Sequence, residues 1–194
     1  MGTTKITAYH GTDHCVVDEI LKNGFHCKPN NEHWLGEGIY FYTDRSLAEW
    51  WTTNPTKKHG MEITNPVVLE CTIEVDNDKL LNLCTLQGYE KYVDIYNSFF
   101  RKWAFQSKPD EQVNFKQLRC AFFNYLHLMF DVEVIIAPFI LPDQPYIPPC
   151  YNEQYANHMH IMYAEIQVCL VGSCQHLIKN KTVHVLKGGD CYVK

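Results

Sequence analysis

The segment 67–75 limits the fold more than any other. Val67, Leu69, Cys71, Ile73 and Val75 alternate there with Val68, Glu70, Thr72 and Glu74. A period of two puts the first set on one face of a strand and the second set on the other, so one face is core. Shorter β-prone runs at 4–9, 38–42, 132–137, 166–171 and 182–186 accompany it. Between them the period changes. Val16, Val17, Ile20 and Leu21 recur at helical spacing behind an Asp13 cap, with Asn23-Gly24 as the stop. Thr43 or Asp44 caps a second helix over 45–51. Two longer amphipathic helices carry Tyr92, Tyr96, Phe99 and Trp103, then Phe115, Leu118, Phe122, Leu126 and Met129, stripes read as core. The class is therefore α+β. At 194 residues the expectation is one domain, 1–194, with a helical insert at about 88–130 and no internal repeat. Five prolines between Pro138 and Pro149 mark a long semi-rigid loop.

Composition removes several classes of function. No apolar run approaches the roughly 20 residues of a bilayer span, and Met1-Gly2-Thr3-Thr4-Lys5 has no signal core. A soluble, cytoplasmic protein with no membrane partner is expected. The nine cysteines include no Cys-x-x-Cys pair, so neither a disulfide framework nor a zinc ribbon is indicated. His158 and His160, even with His26 and Cys27, lack a recognised ligand spacing, and no metal is expected. A cysteine–histidine nucleophile stays open because such partners meet only in space. The net charge of −5 rules out a broad cationic patch for nucleic acid. Lys57-Lys58-His59, Arg101-Lys102 and the lysines at 179 and 181 read as solvated surface with local access to phosphates.

Three short motifs carry the chemistry. Tyr9-His10-Gly11-Thr12 closes the first strand, Gly36-Glu37-Gly38-Ile39-Tyr40-Phe41 enters the second, and Tyr163-Ala164-Glu165 heads a late apolar strand. Gly11 lets another group, such as a ligand, approach the backbone. Gly36-Glu37-Gly38 is no dinucleotide fingerprint, since no glycine follows three residues on and no helix opens there. Tyr40 offers a flat apolar ring. Glu165 supplies the negative charge that a cationic, oxocarbenium-like transition state requires. Against these stand plainer readings: His10 as a satisfied structural histidine and Glu165 as an exposed acid on an edge strand.

Taken in this order, the motifs resemble those of poly(ADP-ribose) polymerase-like ADP-ribosyltransferases of the His-Tyr-Glu class. The resemblance covers the two ends of the chain, and residues 77–130 have no counterpart in it. It implies a split β-sandwich with flanking helices and NAD as substrate. By carry-over, Glu165 binds the nicotinamide-ribose 2′-hydroxyl and helps orient the acceptor, while His10 hydrogen-bonds an adenosine-ribose hydroxyl. The Gly11 backbone grips the nicotinamide carboxamide beside Thr12, and Tyr40 walls the nicotinamide pocket. Trp51 supplies the second ring, with Trp50 the neighbouring alternative. Ala48 falls where the family often has a serine, which removes one anchoring hydrogen bond, worth about 1 kcal/mol. Tyr146, Tyr151, Asn152, Glu153 and Tyr155 occupy the acceptor-recognition loop. The implied activity is mono-ADP-ribosyl transfer to a macromolecule, protein before nucleic acid. Its setting would be that of a toxin or defence effector with a possible antitoxin or inhibitor protein. Transfer to RNA or DNA, and a non-catalytic module that binds NAD or ADP-ribose, are the alternatives.

Overall fold

The computed structural model of the chain describes residues 2–27, 29–53, 63–106, 114–139 and 164–186. Strands β1 (Thr3–Asp13), β2 (Gly38–Tyr42), β3 (Pro66–Asp76), β4 (Leu80–Asn82), β5 (Val134–Phe139), β6 (Glu165–Val171) and β7 (Ile178–Val185) form one sheet in the order β4-β5-β6-β2-β1-β3-β7. Helices α1 (Val17–Asn23), α2 (Arg45–Thr53), α3 (Leu86–Gln106) and α4 (Phe115–Phe130) flank it. The α+β class stands. No helix among the described residues is long and apolar enough to cross a membrane.

The sheet has a seam. β1 and β3 pair along their whole length, from Thr3↔Asp76 to Asp13↔Pro66, and β2 pairs with β6 from Gly38↔Val171 to Tyr42↔Gln167. Between β1 and β2, by contrast, the register holds at Tyr9↔Tyr42 alone. Two well-knit halves, β4-β5-β6-β2 and β1-β3-β7, therefore meet along a line with little backbone pairing, within one seven-stranded sheet.

Alternation makes both faces apolar. Ile39, Phe41, Val168 and Leu170 enter one core with Ile6, Ala8, Val17, Ile20, Leu69 and Ile73. Their strand neighbours Tyr40 and Cys169 enter a second core with Leu35, Ile95, Phe122, Phe123, Leu126 and Ile135. Phe122 is the hub of that layer, with ring centroids of Tyr92, Tyr96, Phe99 and Phe123 at 5.6, 5.5, 5.2 and 5.4 Å. Burying such a ring contributes about 2–3 kcal/mol.

Several sequence expectations need correction. β1 runs through the His-Gly-Thr motif to Asp13 instead of stopping before it, because β3 pairs with it throughout. β7 begins at Ile178, four residues before the expected 182, because β3 extends far enough to pair with it. The three-residue β4 was missed, being too short to show a period, and it runs parallel to β5. Pro138, assigned to a loop, is in β5 opposite Ile166. Its missing N–H costs nothing there, since β4 has ended at the level of Ile136. The aromatic stripes are core only in part, since Tyr96, Phe115 and Met129 are exposed. On α1, Asp13 is the cap of the preceding 3-10 turn, accepting from Cys15 N, and Gly24 is the left-handed stop at φ 88°. Asp44 caps α2 through Ser46 N at 2.9 Å.

Candidate active site

The seam between β1 and β2 is bridged by a side chain. His10 Nδ1 lies 2.7 Å from the Tyr40 carbonyl, while the ring packs edge-on against Phe25 and Phe41 at 4.9 and 5.6 Å. A carbonyl only accepts, so Nδ1 carries the hydrogen. Burial holds the imidazole pKa below its ordinary value, against the raising effect of that hydrogen bond, and the ring is neutral. It follows that Nε2 is left as an acceptor. The contact is with the Tyr40 backbone alone: the His10 ring lies on the sheet face of Phe25 and Phe41, and the Tyr40 ring on the opposite face.

Tyr40 is held by its hydroxyl. The oxygen accepts from Leu35 N at 2.8 Å and donates to Gly36 O at 2.8 Å. Burial raises the phenol pKa well above its ordinary value, so the group stays protonated. The ring, half-buried against the second core, is the part free to face a ligand. The turn that holds it needs both glycines. Gly36 has φ 84°, where a β-carbon would also meet Asn124 Oδ1 at 2.6 Å, and a β-carbon on Gly38 would meet Cys169 Sγ and Leu170 O at 2.6 Å. Asn124 Oδ1 also accepts from Glu37 N at 2.7 Å. This residue of α4 supports the tyrosine turn from 87 positions away, and no local sequence signal points to it.

At Gly11 the sheet packs closely on a helix. A β-carbon there would lie 2.5 Å from Thr52 Cγ2, 2.6 Å from Ala48 O and 3.3 Å from Trp51 Cε3. The group that approaches this backbone is α2. Ala48 is fully buried and meets that position through its backbone carbonyl oxygen. Trp51 lies against Gly11, which selects it over Trp50 as the ring beside the motif. Thr12 is buried and pairs with Val67, one position out of phase with Gly11 and hence on the opposite sheet face.

Glu165 is only 2 % exposed and opens β6, a central strand between β5 and β2. The reading of an exposed acid on an edge strand is overturned. By alternation from the pair Tyr40↔Cys169, Glu165 lies on the same sheet face as the Tyr40 ring, four residues along β6. At about 3.3 Å per residue this is roughly 13 Å along the strand. Tyr146, Tyr151, Asn152, Glu153 and Tyr155 lie outside the described residues, as does Tyr163.

An activated cysteine finds no support among the described residues. The thiols of Cys27, Cys71, Cys84, Cys120, Cys169 and Cys174 are pushed up by burial, Cys71 and Cys169 to about 12, and Cys15 is raised by Asp13. Nor do the described residues include a group of three or more histidine, cysteine or acidic side chains placed to hold a metal ion.

The chain is 25% identical over 88 residues to an uncharacterized protein of Methanocaldococcus jannaschii, covering 45% of this chain and 41% of that one. It is 34% identical over 61 residues to the protein mono-ADP-ribosyltransferase PARP3 of Gallus gallus, covering 31% of this chain and 12% of that one. The chain thus spans less than half the length of either relative. Residues 2–93, a little under half of the chain, match the family described as the poly(ADP-ribose) polymerase catalytic domain, and the stretch that is similar to this family contains His10, Gly11, Tyr40 and Trp51.

Proposed function

We propose that this chain is an NAD-dependent mono-ADP-ribosyltransferase acting on a macromolecular acceptor. The observation that carries the reading is the buried Glu165 carboxylate in a central strand, on the sheet face of the Tyr40 ring. The glycosidic bond between nicotinamide and ribose C1′ breaks, and its electron pair leaves with nicotinamide. Positive charge then spreads over the ribose, where a carboxylate with little water to screen it stabilises the transition state more than the ground state. The acceptor oxygen or nitrogen bonds to C1′ and releases its proton.

The other residues fit binding roles. His10 Nε2, the free acceptor of a neutral ring, takes a hydrogen bond from a ribose hydroxyl. The rings of Tyr40 and Trp51 sandwich the nicotinamide, with the Gly11 backbone on its carboxamide. Ala48 provides no hydroxyl to that carboxamide, so NAD is held by one hydrogen bond fewer. A toxin or defence setting with an inhibitor protein rests on the resemblance alone. A non-catalytic NAD-binding module would have no need of a buried carboxylate at the reacting ribose.

The test is nicotinamide release from NAD by the wild-type chain and by Glu165→Gln, with and without cell lysate as acceptor. Turnover with labelling of a lysate component, lost by at least about 100-fold in the variant, is the expected result. No turnover in either protein refutes the reading in favour of the binding module, and equal turnover in the two refutes the role given to Glu165.

A further inference from the structure

Outside the seam, a cavity of about 540 Å³ opens between α3, α4 and the end of β5. This lies within the range of small-molecule sites, roughly 300–1,000 Å³. Its walls are rings. Tyr89 and Tyr92 stack at 6.1 Å and 28°, and Tyr92 continues onto Phe123 at 6.2 Å and 24°. Trp34, Tyr89 and Phe115 at the rim are 50%, 54% and 77% exposed, an aromatic surface left to solvent.

Arg119 is the one charged residue among the described residues of the lining. Its guanidinium lies 4.2 Å over the Trp34 ring, and Nη2 reaches Glu32 O at a long 3.5 Å. Its Nε is buried with no hydrogen-bond partner. The described lining thus sets one cation among aromatic rings, and the occupant that suits it brings an anionic oxygen as well as a flat ring.

We propose that this cavity binds a nucleotide unit, with the base among the Tyr89, Tyr92 and Phe123 rings and the phosphate on Arg119. Bases stack on aromatic side chains regardless of sequence, and a guanidinium matches phosphate geometry. An apolar side chain from a protein partner would fill the volume yet leave the Arg119 charge without an anion. No carboxylate in the lining repels a phosphate. Phe139 of the cavity wall is the register partner of Glu165, so a bound unit sits one strand from that carboxylate.

The site stands independently of the transferase reading, and its test needs no turnover. The full chain is titrated calorimetrically with AMP, GMP, CMP and UMP, with the matching nucleosides, and with 5′-phosphorylated RNA and DNA hexamers. The nucleotides are expected to bind at least about 10-fold tighter than the nucleosides, the effect of one charge-assisted hydrogen bond. Arg119→Gln should abolish that difference, and Tyr89→Ala, at an exposed rim position, should weaken both classes. Hexamers binding tighter than mononucleotides, with a salt-dependent affinity, would identify a polymer as the source. Equal affinities would identify a free nucleotide. Absence of binding at millimolar concentration overturns the proposal. So does binding that both variants leave unchanged, or that NAD displaces equally from wild type and Arg119→Gln, since the nucleotide would then occupy the seam. If Arg119→Gln does not fold, the nucleotide-to-nucleoside ratio in wild type and the Tyr89→Ala result decide.

Discussion

Tyr40→Phe separates the two roles a tyrosine in this motif can have. The hydroxyl makes two hydrogen bonds at 2.8 Å, to Leu35 N and Gly36 O, while the ring packs against the second core. Removing the oxygen leaves one donor and one acceptor unpaired in a half-buried turn. At about 1 kcal/mol net for each bond, the variant should lose about 2 kcal/mol. For a chain of this size that is roughly 4–8 °C in Tm. With a urea slope of about 2 kcal/mol/M, the midpoint should fall by about 1 M. Because the ring remains, nicotinamide release well below the melting range should stay within about threefold of wild type, whereas Tyr40→Ala should lose it. Urea denaturation with a fixed slope, run beside the release assay, gives both numbers. A loss of turnover by 100-fold or more at unchanged stability would mean that the hydroxyl has a chemical role, and the reasoning would be wrong. A stability change below about 0.5 kcal/mol would equally show that the two bonds do not hold the turn.

Two further outcomes follow from charge. Asp13 accepts from Cys15 N, Thr64 N and Asn65 N at 2.9, 2.7 and 2.8 Å, and these bonds hold its carboxyl well below the ordinary value of 3.8. Its folded pKa is depressed, so its stabilisation is complete above pH 3.8 and is lost only as pH falls below that. Asp13→Ala should cost about 2–4 kcal/mol at pH 7 and less at pH 2, read from urea midpoints at each pH. His10 has a folded pKa below its ordinary 6.5, so the unfolded chain binds the proton first, and stability should decline as pH falls from 6.5 toward 5. His10→Asn, which keeps a donor for the Tyr40 carbonyl but does not titrate, should flatten that part of the profile. An unchanged slope in the variant would place the pH dependence elsewhere.

Local patterns in the sequence determine much of this protein. The alternation at 67–75 names a strand and its inner face. Asp44 and Gly24 mark helix ends through their own backbone chemistry. The three motifs were legible because each must meet a local demand, such as the positive φ of Gly36 two residues before the strand that carries Tyr40. Tertiary structure decided what depends on distant partners. Asn124 under the tyrosine turn, α2 against Gly11, the burial of Glu165 between two neighbours and the pairing of β4 with β5 each join residues far apart in the chain. The same holds for the seam. Strands β1 and β2 both read as β from their own residues, but the single pair Tyr9↔Tyr42, with His10 bridging the gap beside it, arises only when two sheet halves that each pair well internally are brought together.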